Sequence, residues 1–325
     1  MSKVNRNAPR RAAGSEATYT LEEFNREFPD DAACLEHLVR TLYPDGILCP
    51  KCRKVTRHHR IASRPSYSCQ SCGRHEHPMA GTIFQDSATS LRLWFYAIYL
   101  MASTRCGISA KQLERETGVT YKCAWRMFNR IRSLVPQTED KPMGGTVEMD
   151  EAFIGGKAKW KNCGRPTGIG PSEGKAIVHG IAERGRDGKH GRVSVSVIPT
   201  NSVKAIMPRV VEKVLPSTTV YTDTWVAYDA LDQMGHRHSR INHDQKVYVS
   251  GDVHTNTIEG FWSLVKRGIS GVYHGVSAKH LPAYLDEYAF RYNNRDATER
   301  RGMFDAFLSR VRKVSLASAS AAPGA

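Results

Sequence analysis

From Thr146 onward the chain switches between two hydrophobic periodicities in a fixed order, and that order limits the fold more than any other feature. Residues 146–154 (TVEMDEAFI), 175–182 and 192–199 read as strands, the last with clean apolar–polar alternation. A helix over 202–215 places Val203, Ile206, Met207, Val210, Val211 and Val214 on one side. A strand at 218–222, a helix near 224–233, a short strand near 238–242 and a helix near 256–267 follow. The order βββαβαβα predicts an α/β domain, and helices over 277–295 and 299–313 close the chain.

Three acidic residues stand at telling places in this order. Asp150 lies inside an apolar strand, where an unpaired carboxylate is costly. Asp223 ends the fourth strand, where open α/β sheets place their ligands. Glu259 sits on the last helix of the series, with 35 residues between it and Asp223. Acids spread like this are ordinarily surface or turn residues. Gathered by a sheet, they could instead hold two divalent cations, the apparatus for cutting and joining phosphodiester bonds. Lys266 lies seven residues after Glu259, two turns on along the same helix face, placed to hold a phosphate, and Arg267 adjoins it. Asn256, one turn before Glu259, offers a carbonyl oxygen as another ligand. Glu148, Glu151 and Asp252 are weaker candidates; Glu148 shares a strand face with Asp150 and reads as support.

The N-terminal part has a different character. Residues 20–44 read as a helical stretch capped by Thr20 and ended by Pro44-Asp45-Gly46. Cys49-Pro50-Lys51-Cys52 and Cys69-Gln70-Ser71-Cys72 are separated by 16 residues. Two such knuckles complete a tetrahedral thiolate site, so one structural Zn²⁺ is expected, with no open position for catalysis. Residues 90–104 form a strongly apolar helix, in which Trp94, Phe95, Tyr96 and Tyr99 read as core. Residues 109–135 read as helix, turn at Gly118, and a second helix from Tyr121 to Val135 with a Thr120 cap. Its outer side offers Lys122, Arg126, Asn129, Arg130 and Arg132, a pattern suited to a DNA major groove. The chain has 47 Lys and Arg against 32 Asp and Glu, a formal charge of +15, and a polyanion is the commonest reason for such a balance. No apolar run approaches the length of a membrane span, and the basic start lacks the apolar region of a secretion signal.

Taken with the stretches CPKC…YSCQSCGRHEHPMAGTIF, VEMDEAFIGGK, VYTDTWVAYDAL, HTNTIEGFWSLVKRGISGVYH and YLDEYAFRYNNR, the chain resembles the DDE transposases of bacterial insertion sequences, within them the fifteen-ninety-five group with an N-terminal zinc ribbon. The resemblance covers most of residues 20–296. It implies an RNase H-like catalytic fold, two Mg²⁺ or Mn²⁺ ions per active site, and cut-and-join chemistry at inverted terminal repeats. Asp150 and Asp223 match the family's first two acids. The third place stands between Asn256 and Glu259, with spacing and the relation to Lys266 favouring Glu259. The run Glu287, Arg291, Arg295 matches a further family pattern, readable as phosphate contacts or as an internal salt bridge. The expected organisation is a basic tail at 1–19, a helical segment with zinc ribbon at 20–86, a helix-turn-helix region at 87–140, the catalytic domain at 141–296 and a C-terminal helix and tail at 297–325. Expected partners are double-stranded DNA, as element ends and target, and further copies of the chain, since joining two ends takes two active sites; a cytoplasmic, nucleoid-associated location follows. The alternatives are a nuclease that cuts without joining, and a DNA-binding regulator or inactive domesticated transposase using only the ribbon and helix-turn-helix.

Overall fold

The computed structural model describes residues 19–104, 106–137, 141–155, 175–186, 190–241, 252–295 and 301–312. The tails expected at either end fall largely outside them. The chain packs as two compact units, Met1–Thr104 with Asp296–Ala325, and Arg105–Arg295.

In the first unit the stretch expected as helical holds two helices, α1 (Leu21–Glu27) and α2 (Asp31–Leu42). Pro29 is the reason: it lacks an N–H and disfavours helix in Phe28 before it, and Asp30 starts α2 by accepting the Ala33 N–H at 2.8 Å. Thr20 and Glu23 form a reciprocal capping box on α1. Five short strands follow, β1 (Leu48–Cys49), β2 (Lys54–Val55), β3 (His58–Ile61), β4 (Ser66–Cys69) and β5 (His75–Glu76). They pair as an antiparallel β1–β2 hairpin and a three-stranded β3–β4–β5 sheet. The apolar helix α3 (Leu91–Ser103) buries Trp94, Phe95 and Tyr99. Phe24, Phe28 and Phe84 and, from the helix Gly302–Leu308, Phe304 close around it in edge-on and tilted ring contacts.

The second unit begins with α4 (Ala110–Thr117) and α5 (Tyr121–Arg132). Gly118 at φ 72° ends α4 in the left-handed region that glycine adopts most easily. Thr120 then caps α5 through the Cys123 N–H. The sheet comprises β6 (Thr146–Ile154), β7 (Ala176–Glu183), β8 (Val193–Ile198), β9 (Thr219–Thr222) and β10 (Arg237–Arg240) in the order β10-β9-β6-β7-β8. β6, β7 and β8 run antiparallel in sequence; β9 lies parallel to β6, and β10 parallel to β9. One face is covered by α6 (Val203–Lys213), a 3₁₀ turn at Val226–Asp229 and the single turn α7 (Ala230–Gln233), over a core that includes Val147, Met149, Ile181 and Val220. The other is covered by α8 (Asn256–Gly271) and α9 (Leu281–Asn293), over Ala152, Ile154, Val178 and Ala182. On α6 the buried stripe is Ile206, Met207 and Val210; Val203 and Val211, expected to join it, are 44% and 68% exposed, the one at the helix's first residue and the other on the stripe's flank. No helix among the described residues is long and apolar enough to cross a membrane.

Candidate functional site

The two cysteine knuckles are built alike. Each CxxC is followed by a residue in the left-handed region, Arg53 at φ 53° and Gly73 at φ 70°, whose N–H returns to the carbonyl of the first cysteine, Cys49 or Cys69, at 2.8 and 2.9 Å. That turn points both thiols of a pair the same way. The four sulfurs lie within 4.8 Å of one another, with Cys49 and Cys72 at 3.6 Å and Cys52 and Cys69 at 3.9 Å. A tetrahedron of thiolates around zinc has edges of about 3.8 Å, from Zn–S bonds of about 2.3 Å. The quartet fits that ion. Thr56 places its hydroxyl 3.1 Å from the Cys69 sulfur and, ahead of any other cause, pulls that thiol down to about 6, towards the thiolate a metal takes.

The sheet sets the acids. On β6 the alternation sends Glu148, Asp150 and Ala152 to the α8 face, while Val147, Met149 and Glu151 face α6. Across the parallel pair Glu148 is level with Tyr221. Asp223 follows just past the end of β9, two residues beyond Tyr221 as Asp150 is two beyond Glu148, and its charge bears on Asp150. Across the antiparallel pair Asp150 stands opposite Gly180. A Cβ at Gly180 would lie 2.5 Å from the Trp262 ring and 2.8 Å from Ile258. The missing side chain therefore lets α8 settle on the sheet beside Asp150. A glycine inside the strand run AIVHGIAE signals such an approach; that signal was readable in the sequence and was missed.

What gathers there is a cleft of about 400 Å³ lined by Asp150, Glu259, Trp262, Ser263, Lys266 and Arg267. The Asp150 carboxyl is pushed up to about 6, first by burial and next by the charge of Asp223; Glu259 adds to the rise and Lys266 opposes it. Three charged groups thus converge on Asp150. Two are tethered: Asp223 Oδ1 accepts the Trp225 N–H at 2.9 Å, and Glu259 Oε1 accepts the Thr255 hydroxyl at 2.7 Å. Among the described residues only the cysteine quartet brings three or more metal-ligating groups within 4.8 Å, so the three carboxylates do not all lie that close together. The donor set still suits a divalent cation: hard carboxylate oxygens, like charges that raise the Asp150 carboxyl, and burial that a cation would offset. Asn256 is exposed at the first turn of α8, where its backbone N–H points to His254 Nδ1 at 3.4 Å. Glu151 faces away and accepts the Tyr228 hydroxyl at 2.5 Å; burial, ahead of its other neighbours, lifts its carboxyl to about 7. Asp252 is exposed and contributes its backbone carbonyl to Arg184.

Glu148 is the staple between strand and helix. Fully buried, it accepts the Thr257 and Ile258 N–H groups at 2.7 and 3.0 Å and the Thr257 hydroxyl at 2.9 Å, and pairs with Arg184 at 2.6 Å. Arg184 stacks on Tyr221 and donates to the carbonyls of Asp252 and His254. A carboxylate at a helix N-terminus satisfies orphan amides and complements the dipole. Glu148 thereby fixes α8, and with it Glu259, relative to Asp150. Its replacement, Glu148→Ala, is expected to destabilise the second unit by about 3–5 kcal/mol, because Arg184 and two amides lose their buried partner. Denaturant unfolding followed by tryptophan fluorescence measures this; a loss below about 1 kcal/mol would remove Glu148 from this role.

On α5, Lys122 is exposed and Arg126, Asn129 and Arg130 are half-buried; the Asn129 amide returns to the Trp125 carbonyl at 3.0 Å. Arg132, expected on the outer side, is 2% exposed and faces inward. It sits one turn past the buried Phe128, and its charge is met by Glu287 at 2.7 Å. Arg291 binds the same carboxylate at 2.8 Å, and Arg295 donates to the Gly191 carbonyl at 3.0 Å. Of the two readings of Glu287, Arg291 and Arg295, the internal one holds for the first two.

Comparison with known proteins adds a second line. The profile of the ISXO2-like transposase domain matches residues 142–293, and that of the transposase zinc-ribbon domain matches residues 29–75. A protein in the transposable element ISH50 of Halobacterium salinarum is 32% identical over 284 residues, spanning 82% of this chain and 92% of that protein. A transposase-like protein of Haemophilus influenzae is 34% identical over 105 residues, 32% of this chain and 84% of its own length. Among solved structures, a chain of a pre-cleavage Mos1 transpososome matches at 12% identity and a TM-score of 0.27, over 62% of this chain and 73% of that one, a likeness too slight to carry an argument.

Proposed function

The chain belongs to the insertion-sequence transposases that join a zinc ribbon to an ISXO2-like domain, and from that premise we propose that its second unit is an RNase H-like nuclease and strand transferase acting on double-stranded DNA at the element's ends. The observation that carries this reading is the position of Asp150, a mostly buried acid whose charge neighbours are Asp223, Glu259 and Lys266. Asp150 on β6, Asp223 just past β9 and Glu259 from α8 would hold two ions of Mg²⁺ or Mn²⁺. When bound, such ions supply activation of an attacking hydroxyl and stabilisation of the leaving 3′ oxygen. Glu259 takes the third place rather than Asn256 because Glu259 lines the cleft with Asp150.

Lys266 and Arg267 follow Glu259 along α8 and line the same cleft, where their positive charge holds the scissile phosphate against the acids. The same groups serve both steps: water attacks first, and the freed 3′ hydroxyl then attacks target DNA, with no protein side chain forming a covalent bond. The zinc ribbon and the outer face of α5, with Lys122, Arg126, Asn129 and Arg130, contact the DNA backbone and grooves. Because two ends are joined, the working assembly contains at least two copies.

The test is incubation of the full chain with Mg²⁺ and DNA carrying the element's terminal repeat, mapping nicks and joined products on sequencing gels. Nicks at the repeat boundary followed by strand joining support the proposal. Nicks without joining identify a nuclease, and binding without metal-dependent nicks a regulator; either outcome overturns it.

A further inference from the structure

The helix pair α4–α5 is clasped to the catalytic helices at both of its ends. At the entrance, the Cys106 carbonyl accepts the Tyr288 hydroxyl at 2.8 Å. Gly107, at φ 90°, leaves so little room that a Cβ would meet the Tyr273 hydroxyl at 2.2 Å. A Cβ on Gly268, two residues after Lys266 on α8, would come within 1.7 Å of the Tyr288 hydroxyl and 3.0 Å of the Cys106 carbonyl. The backbone entering α4 is thus wedged against α8 and α9. At the exit, Arg132 is buried with Glu287, which also holds Arg291. The Arg132 guanidinium lies 3.8 Å from the centre of the Tyr284 ring, a strong cation–π geometry. A buried triad with every charge partnered tolerates little displacement, because separating it strands charges in a low dielectric. Between the two ends, the Trp125 ring meets His280, just before α9, edge-on at 5.4 Å.

The entrance clasp fastens the backbone before α4 to α9 and to the α8 that carries Glu259 and Lys266, and the exit clasp fastens α5 to α9. We infer that α5 and the carboxylate cleft form one rigid gauge: the duplex bases read by α5 lie at a fixed number of base pairs from the phosphodiester that is cut, with Arg132 as the positioning residue that keeps the gauge true. This deepens the proposed function and rests on α5 contacting DNA. Lys122 and the partly exposed Arg126 remain available on its outer side while Arg132 is committed inward. Bases held by α5 bring a set phosphate to Asp150, so the cut site is chosen by distance from the recognised sequence and not by the sequence at the cut itself.

The experiment uses the full-length protein and terminal-repeat DNA. Bases whose protection from chemical footprinting disappears in Lys122→Ala or Arg126→Ala define the α5 contact. Two, then four, base pairs are inserted between those bases and the mapped nick. The gauge predicts that the nick moves with the recognised bases, keeping its distance. A nick that stays at its original sequence, or spreads over several positions, overturns the gauge. Absence of any protection dependent on Lys122 or Arg126 overturns instead the reading of α5 as a DNA-contacting helix, and the gauge with it. In a second arm, Arg132→Gln is expected to bind end DNA yet nick at several neighbouring positions, with cleavage at the normal site reduced by about 10²-fold, as misplaced reacting groups imply. A single normal nick from Arg132→Gln would remove it from the positioning role. If that variant does not fold, the insertion series on the unmodified protein still decides the matter.

Discussion

Asp150→Asn is expected to cut terminal-repeat DNA about 10³-fold more slowly or worse, while binding it as well as the unmodified protein does. The change removes the acid on which Asp223, Glu259 and Lys266 act, and a cation in such a site supplies several kcal/mol of transition-state stabilisation. A second consequence has the opposite sign. In the metal-free protein Asp150 is partly buried, and that burial together with the charge of Asp223 pushes its carboxyl up to about 6, above the ordinary value of 3.8. A raised acid favours the fold while protonated. That contribution is complete below about pH 4 and is lost as pH rises through 6. Above pH 7 the metal-free protein therefore carries an uncompensated carboxylate that asparagine lacks, and the variant should be more stable by about 1–3 kcal/mol. At pH 4 the two should converge. Adding Mn²⁺ should raise the Tm of the unmodified chain and leave the variant's nearly unchanged. Thermal melts at pH 4 and pH 7.5, with and without Mn²⁺, measure all three effects. Retained cleavage by Asp150→Asn, or a variant less stable than its parent at pH 7.5, would sink the assignment of the cleft as a cation site.

Cys69→Ser is expected to abolish zinc binding and unfold the ribbon. Its strands are two to four residues long, and strands so short do not hold together without a staple. The Ser66–Cys69 strand pairs with both of its neighbours, so losing its terminal ligand releases the three-stranded sheet along with the knuckle. Atomic emission should fall from one zinc per chain to none, and proteolysis should open sites between residues 45 and 80. The second unit has its own core on both faces of the sheet, and its melting should persist. One zinc retained per chain in Cys69→Ser would refute the four-thiolate site. Loss of cooperative melting throughout the chain would show that the ribbon supports more than itself.

Much of this protein was legible without coordinates because the informative residues act on near neighbours. Two knuckles of four residues specify a tetrahedron wherever the chain takes them. Thr20, Thr120 and Gly118 mark helix ends through groups within four residues of themselves. Residues 192–199 alternate as a strand does, and the order of elements from Thr146 onward agrees with the structure, while Pro29 divides the helical stretch 20–44 in two and Val203 and Val211 lie off the buried stripe of α6.

The sequence alone determined which residue types were on hand: four thiols, three dispersed acids, a lysine two turns past the last acid, and helices and strands in a set order. Tertiary structure decided which of them meet. Arg132 reads as one more outward cation of a basic helix until Glu287, 155 positions away, draws it inside. Glu148 shares a strand face with Asp150, but that it ends at the first turn of α8, 109 positions on, is decided by how the helix docks. Gly180 signals a close approach from the sequence, but that Trp262 is what approaches is decided by docking. The reason is physical: periodicity and capping are settled by bonds within a turn or two. Register and docking are settled by free energies shared among groups far apart in the chain, and those exist only once the sheet has closed.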